Sequence, residues 1–114
     1  MTRLGEVALF TEDVAGASAF YRGLIGAPPV AEWPGGAIFD AGGANLLVHE
    51  RSGAAADGPP NEDHFAISVA DLDATCATLV SEGFTFLVEA RDYPWGRSAY
   101  LRDPDGRLVE LAQA

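Results

Sequence analysis

Apolar and polar residues alternate in short stretches along this chain, and two of the stretches resemble one another. Residues 6–14 read EVALFTEDV and residues 64–72 read HFAISVADL, so that Ala8 matches Ala66, Leu9 matches Ile67, Asp13 matches Asp71 and Val14 matches Leu72 at one constant offset. A period of two places successive side chains on opposite faces, which predicts a strand in each. Each strand ends at an Asp suited to cap a following helix. The predicted helices cover 13–25, stopped by Gly26 and the Pro28-Pro29 pair, and 71–82, stopped by Gly83.

Further strand-like pieces follow each helix. In the first half they are PPVAEW, which is weak, then GAIFDA and ANLLVHE; in the second they are FTFLVEA, RSAYLR and RLVELAQ. The last two of each half are joined by tight turns, AGG and DPDG, with Pro104 at the second turn position and Gly106 at the fourth. The order strand, helix, strand, strand, strand therefore occurs twice, and duplication explains it better than coincidence. One domain is expected, with module one over 1–52, a Gly-, Pro- and Ala-rich linker over 53–60 and module two over 61–114. Two such modules side by side would curve their sheets around a concave surface suited to a small-molecule site.

Alternation also sorts the faces. Phe65, Ile67 and Val69 form the apolar face that packs under a helix, leaving His64, Ala66 and Ser68 opposite; Val7 and Leu9 leave Glu6, Ala8 and Phe10 in the same way. On the last strand Val109 and Leu111 pack outward, so Leu108, Glu110 and Ala112 turn inward. A carboxylate there costs several kcal/mol or more unless it is paired, hydrogen-bonded or bound to a metal. Two readings are open for Glu110. With Glu6 and His64 it forms a divalent-metal site, a variant of the facial arrangement of two His and one carboxylate; or it pairs with His64 alone, with Glu6 near a strand end in water.

Composition narrows the partners. The 114 residues are 48% hydrophobic, enough for one ordinary core. The 17 acidic residues outweigh 7 basic ones, all of them Arg, for a net charge of -10. A field of that sign repels nucleic acid and anionic membranes. Cys76 is the only cysteine and sits in DATCATL, the apolar face of a predicted helix, as a small core residue. No apolar run has the length of a membrane span, and Glu6 interrupts the N-terminal stretch where a signal sequence would be apolar. A cytoplasmic protein is expected.

The duplicated module, the HFAISVADLDA opening of its second half and YPWGRSAYLRDPDGRLVELAQ near the end resemble the vicinal oxygen chelate superfamily, which holds glyoxalases, bleomycin-resistance proteins and extradiol dioxygenases. The resemblance covers nearly the whole chain. It implies an α+β fold of two βαβββ modules in tandem, forming a curved, partly open mixed sheet around a central cavity with the helices outside. It also implies a homodimer. Carried over by position, its metal ligands fall on Glu6, His64 and Glu110, while the fourth position, used by glyoxalase I, falls on Leu46 or Leu47, neither able to bind a metal; His49 lies close by. The implied cofactor is a divalent ion, with Mn, Fe, Ni, Zn and Mg as candidates, or none. The implied chemistry is that of a metal-dependent enzyme of isomerase, dioxygenase or thiol-transfer type that chelates two adjacent substrate oxygens, with Glu110 as the catalytic carboxylate. Ser98, Tyr100, Arg97, Trp95, Phe10 and Trp33 are the candidate substrate contacts, Arg97 being the weakest because only alternate residues of its strand point inward. Phe39 and Phe86 are read as core. The alternative is a metal-free protein that sequesters an aromatic or cationic molecule such as an antibiotic.

Overall fold

A computed structural model describes residues 2–51 and 59–114. Residues 53–58 of the predicted linker lie outside the described residues. The elements are β1 (Arg3–Thr11), α1 (Val14–Ile25), β2 (Ala31–Trp33), β3 (Gly36–Asp40), β4 (Asn45–Glu50), β5 (His64–Val69), α2 (Leu72–Ser81), β6 (Phe86–Tyr93), β7 (Gly96–Arg102) and β8 (Leu108–Gln113). This is the α+β order expected from the sequence, one βαβββ module after another. Among the described residues no helix is long and apolar enough to cross a membrane.

Both helices begin and end for local reasons. The Asp13 carboxylate accepts a hydrogen bond from Gly16 N at 2.9 Å, and that of Asp71 from Ala74 N at 3.1 Å, each satisfying an amide that the first helical turn leaves free. Gly26 ends α1 at φ +80°, a left-handed conformation that a side chain would strain. The DPDG turn closes with Gly106 N donating to Asp103 O, while Asp103 Oδ1 accepts from the Asp105 and Arg107 amides.

The chain forms two compact units, Glu6–Asp63 and His64–Ala114, the second joined by the first residues of the chain through Gly5. In the first unit the strands run β2-β3-β4-β1, with β1 parallel to β4 and the other pairs antiparallel. Ala17, Tyr21 and Ile25, four residues apart along α1, pack on Ala37, Phe39, Leu46 and Val48. The second unit repeats the pattern as β5-β8-β7-β6, with β5 parallel to β8. There Leu72, Cys76 and Leu79 of α2 cover Ile67, Val69, Ala99, Leu101, Val109 and Leu111. Cys76 is thus a core residue, and burial pushes its thiol pKa up. Phe39 lies in the first core and Phe86 packs against the second, as read from the sequence.

Leu72 is fully buried at the point where α2 meets its sheet. Leu72→Ala should lower stability by about 2–5 kcal/mol and Asp71→Ala by about 1 kcal/mol in urea denaturation; equal effects from the two would contradict the packing described.

Candidate functional site

In the second unit the side of the sheet away from α2 carries the polar residues. Parallel pairing sets Ala66 opposite Glu110, and the β7–β8 hairpin sets Tyr100 opposite Glu110 and Ser98 opposite Ala112. Strand alternation then brings His64, Ser98, Tyr100 and Glu110 onto one face. Glu110 is only 6% exposed and Ser98 1%. His64 Nε2 lies 2.9 Å from Glu110 Oε1, and Ser98 Oγ donates to Glu110 Oε2 at 2.7 Å. Each oxygen of the buried carboxylate therefore has its own partner. The Tyr100 ring stands edge-on to the His64 imidazole, with centroids 5.8 Å apart.

Sequence reasoning missed one member of this cluster. β6 and β7 pair Arg91 with Ser98 and Tyr93 with Gly96, which turns Tyr93 to the face of Ser98. Its ring stacks flat on Trp95, with centroids 4.7 Å apart and planes at 2°, and stands edge-on to Tyr100 at 6.2 Å. Burial raises the Tyr93 phenol above its ordinary value, Arg91 pulls it down and the charge of Glu110 pushes it up again. The register of β6 shifts twice between Phe86 and Arg91, so simple alternation from the predicted strand FTFLVEA does not carry as far as Tyr93. The only signal in the sequence was its place beside Trp95 in DYPWGR.

Arg97 is not part of the cluster. It lies on the other face of β7, 3.0 Å from Asp73 of α2 and 3.1 Å from Asp92. Trp95 is 59% exposed and touches the cluster through Tyr93.

In the first unit the corresponding face holds Glu6, Ala8 and Phe10 of β1, paired with Asn45, Leu47 and His49 of β4. Leu47 stands opposite Ala8 as Glu110 stands opposite Ala66, so Leu47 is the register counterpart of Glu110 and Leu46 belongs to the α1 core. Phe10 and Trp33 come together around His49, at ring distances of 5.4 and 6.3 Å. His49 is half-buried between them, with Nδ1 2.8 Å from Glu50 O. Gly36 makes room for this group: a Cβ there would lie 2.7 Å from the Trp33 ring.

The chemistry of the His64–Glu110 pair suits a metal. An imidazole nitrogen and a carboxylate oxygen are both groups that divalent ions bind, and here they lie 2.9 Å apart, hydrogen-bonded to one another. Ser98 on the outer carboxylate oxygen is the kind of hydrogen bond that orients a ligating carboxylate. Among the described residues no group of three or more His, Cys, Asp or Glu side chains is arranged to hold an ion. The fit therefore rests on two ligands.

Two βαβββ modules in tandem define the class of fold, and comparison with known proteins gives the family. The model of the Glyoxalase/Bleomycin resistance protein/Dioxygenase superfamily matches residues 3–111, and the chain belongs to that superfamily. No curated protein matches the sequence. Among solved structures, a methylmalonyl-CoA epimerase from Streptomyces coelicolor is 24% identical, with a TM-score of 0.76 over 100% of this chain and 95% of its own. A hypothetical protein from Bacillus halodurans is 17% identical, with a TM-score of 0.79 over 99% and 94%. A superfamily member from Vibrio splendidus is 16% identical, with a TM-score of 0.69 over 100% of both chains. At these identities the likeness is one of fold.

Removing the carboxylate should leave the buried imidazole and hydroxyl unsatisfied. Glu110→Ala is expected to lower stability by about 2–5 kcal/mol and Ser98→Ala by about 1 kcal/mol in urea denaturation of metal-free protein; a neutral Glu110→Ala would contradict the pairing. The raised Tyr93 pKa means that the native state holds this proton more tightly than the unfolded chain. Its contribution to stability is present below the ordinary phenol value of 10.0 and is lost as pH rises through the raised value. An alkaline ultraviolet titration of wild type minus Tyr93→Phe should show the missing phenol titrating above 10.0.

Proposed function

We propose that this chain is a metal-dependent enzyme acting on a small molecule with two adjacent oxygen atoms, and that the reaction is a proton transfer of isomerase type. The observation that carries the reading is the buried His64 Nε2–Glu110 Oε1 pair at 2.9 Å, which sets an imidazole and a carboxylate, both able to bind a divalent ion, side by side. Such an ion, when bound, supplies a Lewis acid toward the substrate oxygens. His64 and Glu110 hold it, and Ser98 keeps the carboxylate in place. Glu110 is also the group that would take a proton from the substrate carbon beside the chelated oxygens and return it, being the carboxylate of this cluster. The pair is buried, with the Tyr100 ring against His64, and low exposure to water strengthens each electrostatic contact. An S. coelicolor structure of this fold is an epimerase bound to a CoA ester analogue, and an epimerisation is one form of the chemistry proposed.

Imidazole and carboxylate ligands bind an ion in their deprotonated forms, so affinity should fall as pH is lowered. Plasma mass spectrometry after incubation with Mn²⁺ and removal of excess should find about one ion per chain in wild type and none in His64→Ala, Glu110→Ala protein. No ion in the wild type would sink the metal reading. Glu6→Gln in the same assay tests the third position that the family resemblance implies.

A second reading is supported by the aromatic groups around His49 and by the exposed face of Trp95: metal-free capture of an aromatic or cationic molecule by an acidic protein. It expects tryptophan fluorescence to be quenched by a panel of aromatic cations in the presence of EDTA, and a panel without effect removes it.

A further inference from the structure

The Tyr93 hydroxyl is the one buried side-chain polar atom among the described residues that has no hydrogen-bond partner. Buried hydroxyls are paired in the great majority of folded proteins, because an unpaired one forfeits its bonds to water and receives nothing in return. Phe in its place would keep the stack on Trp95 and the edge contact with Tyr100 without that penalty. The hydroxyl is therefore a cost that the packing alone does not explain.

Its surroundings indicate what it meets. Trp95, Tyr93, Tyr100 and His64 form a continuous series of ring contacts leading to Glu110. The phenol feels the charge of Glu110, yet both carboxylate oxygens already have partners in His64 and Ser98. A phenol is protonated at neutral pH, so the hydroxyl offers a proton and lacks an acceptor.

We propose that Tyr93 is a ligand-binding group, its hydroxyl donating a hydrogen bond to an oxygen of the small molecule held at the His64–Glu110 pair. The proposal rests on the reading of that pair as a ligand site, and it adds a donor that the family resemblance did not assign. The ligand class is a small molecule with an oxygen acceptor for the phenol. Where negative charge grows on that oxygen during reaction, the bond from Tyr93 strengthens with it.

The test compares wild type with Tyr93→Phe, using catechol as a neutral planar probe with two adjacent oxygens. Calorimetric titrations are run with Mn²⁺ and again with EDTA, and melting temperatures are read without catechol. In the buffer where wild type binds, Tyr93→Phe should bind catechol about tenfold more weakly. Its melting temperature should be equal to or above that of wild type, which a merely structural hydroxyl would not produce. Equal affinities overturn the proposal, as does a wild type that binds no catechol in either buffer. Mn²⁺ uptake measured by paramagnetic resonance without catechol reports on the ion site separately, so failure of the donor and failure of the metal reading give different results.

Discussion

Glu110 sets the terms for the second unit. A carboxylate that is 6% exposed is stable only if its partners arrive from both sides, and here they come from the two strands flanking β8. β5 brings His64 and β7 brings Ser98, one to each oxygen. A slip of one residue in either pairing would turn Glu110 into the leucine-rich layer under α2 and leave the imidazole and hydroxyl without their acceptor. The DPDG turn, which fixes the β7–β8 register, therefore contributes to the site although none of its residues touches it.

The two modules keep the same strand pairing and place different chemistry on it. Where the second sets Glu110 opposite Ala66, the first sets Leu47 opposite Ala8. The first module cannot offer a carboxylate at that position, and its polar face is instead organised by stacking around His49. Ala8 and Ala66 are both buried, and the small side chain leaves the neighbouring positions room to differ. The two units thus share a scaffold, whose helices need the same apolar layer in each, while their other faces differ.

Much of this was legible in the sequence because it depends on local periodicity. Alternation located the strands around Glu6 and His64, the aspartates at 13 and 71 marked both helix starts, and the apolar faces of β5 and β8 are those expected. Glu110 stood out as a charge on an apolar strand, and one of the two readings open for it named His64 as its partner. The choice between Leu46 and Leu47 was not legible, since two adjacent leucines carry no mark of their register. Arg97 was among the substrate candidates, and its partners Asp73 and Asp92, which come from different elements, were invisible in the sequence.

Sequence alone determined the element order, the division of each strand into two faces and the presence of a carboxylate that required a partner, because each follows from the period of neighbouring residues along the chain. Tertiary structure decided which strands became neighbours, and with them the 2.9 Å contact of His64 with Glu110, the bond from Ser98 and the position of Leu47. It also decided the fate of Tyr93. Irregular pairing in β6 breaks the alternation that would have predicted its direction, and whether its hydroxyl finds an acceptor depends on strands remote in sequence. Register and hydrogen-bond satisfaction are properties of pairs of segments, so no single stretch of sequence contains them.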